Sequence, residues 1–191
     1  MDYLKYYDLE KHLFDFVRER FVRDGVIDPF DFYLILIWKS NRSKNKGRDR
    51  LANAAGDFSK AVKKIADSIY QADDPKEKLK ILLSDPWKFS LAIGSAILTV
   101  LYPLDFTVCD TRVCEQLHKM MQSPPFPKGL SASTAGYELQ WKQYQLFKKA
   151  VVDNTPANLC LRNKDRYLFG KSLYEQARKD SATPAETCTR P

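Results

Sequence analysis

Glycine is scarce in this chain, 7 residues in 191, and no stretch alternates apolar with polar residues over the length of a strand. Sandwiches and barrels need that alternation and the glycine-bearing turns between strands, so both are excluded and an all-α fold is predicted. Cysteine is rarer still. Cys109, Cys114, Cys160 and Cys188 stand 5, 46 and 28 residues apart, which fits neither paired zinc ligands nor an iron–sulfur knuckle. They read as free thiols, and neither a metal nor a cofactor is expected. The two histidines, His12 and His118, have no companion at ligand spacing and read as structural. No uninterrupted apolar run approaches the ~18 residues of a membrane span. The N-terminal MDYLKYYDLEKHLF carries acids where a secretory signal has an apolar core. The expectation is a cytoplasmic protein without membrane association.

Against these absences, 44% of the residues are hydrophobic, and they recur every three or four positions almost throughout. The spacing predicts helices over 6–23, 29–40, 48–71, 75–84, 86–102, 110–122, 132–153 and 163–179. The expected architecture is a compact multi-helix, two-lobed bundle forming one domain over 1–180. SPPFPKG at 123–129 serves as a stiff connector able to divide the lobes, since its prolines fix φ and remove donors. The polar segment SATPAETCTRP, 181–191, is expected to be a disordered tail. Asp28-Pro29 and Asp85-Pro86 both read as helix starts, an aspartate cap followed by proline at the first helical position. The 29–40 helix carries FDFYLILIW, apolar almost all round, and is expected at the centre of the bundle. In the 86–102 helix Ala92, Gly94, Ser95 and Ala96 are small enough to admit a close neighbour. Tyr137, Trp141, Tyr144 and Phe147, at helical spacing, are expected to pack inward.

The net charge of +7 is partly clustered. Lys39, Arg42, Lys44, Lys46, Arg48 and Arg50 fall within twelve residues opposed only by Asp49, and Lys60, Lys63 and Lys64 follow on the next helix. With Asn41, Asn45 and Gly47 among them, the run has the composition of a loop able to follow a nucleic-acid backbone. The competing reading is a solvated surface. Trp38, just before the run, reads first as core and second as a ring that stacks on a base.

The segment FSLAIGSAILTVLYPLDFTVCDTR, 89–112, combines a buried helix, a break at Tyr102-Pro103, a short extended crossing and Asp110 at the mouth of the next helix. Two rigid elements therefore deliver one acid to a fixed place. The commoner job of such an aspartate is to cap the helix that follows, and the rarer one is chemistry; the two are compatible. Arg112 serves either a phosphate near that acid or a salt bridge to a neighbouring helix.

This segment resembles the core of the helix-hairpin-helix DNA glycosylase superfamily, in which a hairpin, a buried helix and an aspartate form the active site. It is similar, more closely, to an uncharacterised bacterial group that adds an upstream WKSxR element, here Trp38-Lys39-Ser40-Asn41-Arg42. A closing DRxLWxxGK element is matched by Asp165-Arg166-Tyr167-Leu168-Phe169, followed directly by Gly170-Lys171. The resemblance implies that Asp110 is the catalytic acid and that DNA is the partner. Lys39, Arg42, Lys44, Lys46, Arg48, Lys88 and Arg112 are then the nucleic-acid contacts. Ala92 stands where bifunctional members carry a Schiff-base lysine, so the implied activity is monofunctional base excision with water as nucleophile. At the two glycine positions of the superfamily hairpin this chain has Lys88 and Ser90. Asp85-Pro86, read as a helix start, also leaves little room for a phosphate-binding turn. The alternative is a non-catalytic helical module that binds nucleic acid or protein within a defence or DNA-processing complex.

Overall fold

The structure, a computed structural model, describes residues 3–182. Among them every regular element is helical. None of these helices is long and apolar enough to cross a membrane.

The N-terminal helix is broken where the periodicity predicts one continuous piece over 6–23. It consists of α1 (Leu4–Tyr7), α2 (Leu9–His12), a π-helical turn (Leu13–Val17) and α3 (Arg18–Asp24). Asp8 causes the first break by leaving helical backbone and accepting a hydrogen bond from the Lys11 amide, 3.1 Å. Gly25, at φ 68°, ends α3. A side chain there would meet the Tyr70 ring at 2.8 Å.

Helix α4 (Pro29–Ser40) starts where Asp28-Pro29 predicts, with the Asp28 carboxylate accepting from Phe30 N at 2.8 Å. It buries Phe32, Leu34, Ile35 and Leu36 and packs against three later helices, α5 (Lys44–Ala55), α6 (Phe58–Gln71) and α8 (Leu91–Leu101). The expected 48–71 helix is thus two. Gly56, at φ 88°, closes α5, and Asp57 caps α6 through the Lys60 amide at 2.7 Å. The basic run read as a loop is mostly helix: it finishes α4, turns at 41–43 and forms the first half of α5. Gly47 is buried on α5 where a side chain would press the Leu36 methyl at 3.4 Å, so α4 and α5 close on each other there.

Helix α7 (Pro75–Leu83) and α8 form a pair joined by a tight turn over 84–90. The Asp85-Pro86 helix start is therefore incorrect: α8 begins at Leu91. Lys88 takes the left-handed φ of 46°, which no helix interior accommodates, and its amide donates back to Ser84 O at 2.9 Å. Phe89 N donates to Leu82 O at 2.9 Å, closing the turn. Gly94 on α8 lies against Leu79, Leu82 and Leu83 of α7, and an added Cβ would sit 3.0 Å from Leu83. The small residues thus do admit a close neighbour.

After α8 the chain crosses in extended form to α9 (Thr111–Met120), then runs through a 3₁₀ turn (Leu130–Ala132) to α10 (Tyr137–Asp153) and α11 (Leu161–Ala182). The expected 132–153 helix starts at Tyr137. Tyr144 and Phe147 are fully buried, with Tyr137 and Trp141 packed on the same core. Helix α11 takes in Ser181 and Ala182; the rest of the polar tail, 183–191 with Cys188, lies outside the described residues.

A lysine at φ 46° carries a steric cost of about 1–2 kcal/mol that glycine escapes. Lys88→Gly should therefore raise unfolding free energy by roughly 0.5–1 kcal/mol after glycine's greater unfolded-state entropy is subtracted. Urea denaturation measures this, and a lower midpoint for the glycine variant would show that the turn is unstrained.

Candidate functional site

The crossing from Phe106 to Asp110 is nearly all buried, yet it has no strand beside it. Buried backbone amides must nevertheless find acceptors. Phe106 N donates to Tyr102 O at 3.1 Å and Asp110 N to Val108 O at 2.9 Å. Side chains from three helices accept the others. The Tyr144 hydroxyl of α10 accepts from Thr107 N at 3.0 Å and donates to Thr107 O at 2.9 Å, standing in for a strand partner. Asp165 Oδ2 of α11 accepts from Val108 N at 3.1 Å and from the Thr107 hydroxyl at 2.9 Å. Ser95 Oγ of α8 accepts from Cys109 N at 2.9 Å. The carboxylate of Asp110 is thus delivered by a strap tied down at each residue.

Asp110 performs its commoner task, since Oδ1 accepts from Arg112 N at 2.8 Å and caps α9. Its other oxygen, Oδ2, accepts from Lys39 Nζ at the end of α4. The Asp110 side chain keeps 23% of its surface exposed and the lysine 11%. A cavity of about 370 Å³ opens beside the pair, lined by Trp38, Val113, Phe169 and Gly170 with Glu10, Arg162 and Arg166. The three sequence elements quoted above, far apart in the chain, therefore meet around one hollow: Trp38 and Lys39, then Asp110, then Asp165, Arg166, Phe169 and Gly170.

Ion pairs hold the walls. Arg162 donates to Glu10 Oε1 from Nε at 3.1 Å and from Nη2 at 2.6 Å, and also pairs with Asp165. Its guanidinium lies over the Trp38 ring at 5.2 Å and the Phe14 ring at 5.4 Å. Arg166 reaches the same Glu10 oxygen at 2.9 Å. Burial pushes the Asp165 carboxyl above its ordinary value, against the opposing pull of Arg162 and the two donors on the crossing. The Cys109 thiol, fully buried next to Asp110, is likewise pushed up by burial, which makes it a poor nucleophile.

A second cavity, about 560 Å³, borders the same end of α4 through Leu36 and Ser40. Lys44, Lys46 and Arg50 of α5 line it together with Lys88, Phe89 and Ser90 of the turn. Arg50 donates to Lys88 O at 2.5 Å, joining α5 to the turn. Ser90 caps α8 in extended conformation without a side-chain bond to the helix. The Ser90 carbonyl instead accepts from Ile93 N at 3.0 Å and Gly94 N at 2.9 Å, starting the helix.

The expected nucleic-acid contacts consequently separate. Lys44, Lys46 and Lys88 come together at the second cavity, while Lys39 is committed to Asp110. Arg42 is exposed in the turn between α4 and α5, and Arg48 pairs with Asp49 at 2.7 Å. Arg112 donates to the Gln176 side chain at 2.7 Å and lies over the Phe169 ring at 6.0 Å. Glu10, Arg162 and Tyr144 carry positioning roles that the sequence reading did not assign; Glu10 and Arg162 are 152 residues apart, and no local pattern links them. No group of His, Cys, Asp and Glu able to hold a metal occurs among the described residues. No protein-family model, curated protein or solved structure matches the chain.

Tyr144→Phe removes both bonds to Thr107 and leaves a buried N–H and C=O without their partner. The expected loss is about 1–3 kcal/mol of unfolding free energy. Equal stability of variant and wild type in denaturant titrations would mean that the crossing is held by packing alone.

Proposed function

We propose that the protein binds DNA, with the phosphate backbone seated on the basic cavity beside the 84–90 turn and an extruded nucleotide reaching the Asp110 pocket. One observation carries this reading: the two cavities flank the same helix end, with Lys39 in one and Ser40 in the other. Lys44, Lys46 and Arg50, with Lys88 beside its partner Asp85, supply the charge that draws polyanions. In the first cavity Trp38 and Phe169, each with a guanidinium over one face, contribute ring surface, and Glu10, Asp110 and Arg166 offer polar edges. The resemblance of GSAILTVLYPLDFTVCDTR to the helix-hairpin-helix glycosylase core supports the same partner and a two-lobed glycosylase-like arrangement. So does the α7–turn–α8 pair, in which Lys88 occupies a backbone conformation that favours glycine.

The chemistry that follows is monofunctional base excision. Each Asp110 oxygen retains a lone pair beyond those taken by Arg112 N and Lys39, so the carboxylate can still orient a water. The N-glycosidic bond breaks with its electron pair leaving on the base, and positive charge develops on the sugar, which the carboxylate stabilises. The water oxygen bonds to C1′ and passes a proton to Asp110. The Lys39–Asp110 ion pair also favours a second reading, a binding module whose acid is neutralised and structural.

Two experiments separate these. Lys44→Glu with Lys46→Glu should weaken duplex binding at least about 10-fold near physiological salt and alter its salt dependence. Unchanged affinity sinks the DNA reading. Asp110→Asn keeps a competent cap, so folding and DNA binding should persist while base release from oligonucleotides carrying deaminated, alkylated or oxidised bases falls about 100-fold or more. Equal rates for both proteins, or no release by the wild type, leave only the binding module.

A further inference from the structure

Hydrolysis of an N-glycosidic bond moves two protons: the attacking water loses one, and a neutral base that leaves with the bonding electron pair takes one up. Asp110 accounts for the first alone. The lining of its pocket limits where the second comes from. Among the described residues no histidine, cysteine or tyrosine lines it. Arg162 and Arg166 are guanidiniums, which do not give up protons in proteins, and Trp38 offers only an indole N–H. Glu10 accepts from both arginines. Asp165 accepts from Arg162 at Oδ1, and from Val108 N and the Thr107 hydroxyl at Oδ2, so both carboxylates serve as acceptors. Lys39 is left. It stands in the last turn of α4, where the negative helix end favours a cation, and its side chain is only 11% exposed. Among the described residues it donates only to Asp110 Oδ2, so two of its three N–H bonds remain for a ligand.

We infer that Lys39 is the general acid for base departure and that the Lys39–Asp110 pair is a proton relay. The inference rests on the base-excision reading of the Asp110 pocket. The bond from C1′ to the base nitrogen breaks with its electron pair going to the base, and a Lys39 N–H bond breaks as its proton goes to that base. The water oxygen bonds to C1′ while a water proton goes to Asp110. The protonated carboxyl then returns this proton to the lysine amine through their shared hydrogen bond. The ion pair is restored, with one water consumed and one neutral base released. Because Lys39 is held on the carboxylate that faces C1′, the stabiliser and the proton donor serve the two ends of one breaking bond. A base that already carries positive charge, such as a purine alkylated on a ring nitrogen, departs neutral and needs no proton. The substrates that depend on Lys39 are therefore the uncharged bases, deaminated ones among them.

The test uses the full chain and duplexes carrying either a neutral base, uracil or hypoxanthine, or a cationic one, 7-methylguanine. Lys39→Met and Lys39→Arg should each lower release of the neutral bases about 100-fold and release of 7-methylguanine by less than about 10-fold. Lys39→Arg is the decisive variant, because it keeps a cation against Asp110 but holds its proton. Thermal melts and duplex binding confirm that both variants are folded. If arginine preserves release of the neutral bases, or if both variants lose the two classes equally, the pair is structural; the acid role is then overturned while base excision stands. A wild type that releases only 7-methylguanine also overturns the acid role, since that departure requires no proton. Release of neither class by the wild type removes the base-excision reading and the inference with it.

Discussion

A buried extended segment without a sheet is the constraint on which the candidate site depends. Residues 106–110 cannot satisfy their amides by a strand ladder, and water is excluded from most of them. Tyr144, Asp165 and Ser95 take over that role from three helices, so α8, α10 and α11 are fixed relative to the crossing and to one another. Removing any of these acceptors exposes a polar group to an apolar interior, which is why the arrangement admits few alternatives. The acid at the end of the segment inherits the rigidity of all three helices.

Around that acid, charges are arranged in two distinct regimes. In the pocket every cation has an acid within reach: Lys39 with Asp110, Arg162 with Glu10 and Asp165, Arg166 with Glu10. These pairs order side chains without leaving much net charge. The second cavity brings Lys44, Lys46, Arg50 and Lys88 together near the partial positive end of α8; no acid lines it, although Lys88 itself pairs with Asp85 at 2.8 Å. One hollow is lined by rings and paired charges, the other by clustered cations. The end of α4 borders both, Lys39 in the first and Ser40 in the second.

Several of these features were legible in the residues. Asp28-Pro29 marks a helix start that the structure bears out, and the apolar run behind it does form a central helix. Asp110 does cap α9, as a residue of its type before a helix should. The same pattern failed at Asp85-Pro86, because the cap signal describes what a dipeptide tolerates and α8 starts only at Leu91, beyond the left-handed Lys88. The basic run looked like a loop because charge and asparagine hide the helical spacing of Gly47 and Leu51, the two residues α5 buries. Glu10 and Arg162 gave no local signal at all, since an ion pair between the two ends of the chain exists only once the bundle is closed.

Taken alone, the residues determined the all-α class, the identity of the buried helical faces and the placement of a capping acid after a break at Tyr102-Pro103. These follow from periodicity and local backbone preference, which act over a few neighbouring positions. Tertiary structure decided the remainder: that Lys39 is spent on Asp110, that Lys44, Lys46 and Lys88 gather at one cavity, and that Trp38, Asp110 and Phe169 surround another. The reason is physical. Coulomb pairing and burial depend on distance in space, and for residues separated by dozens of positions that distance is set only when the helices pack.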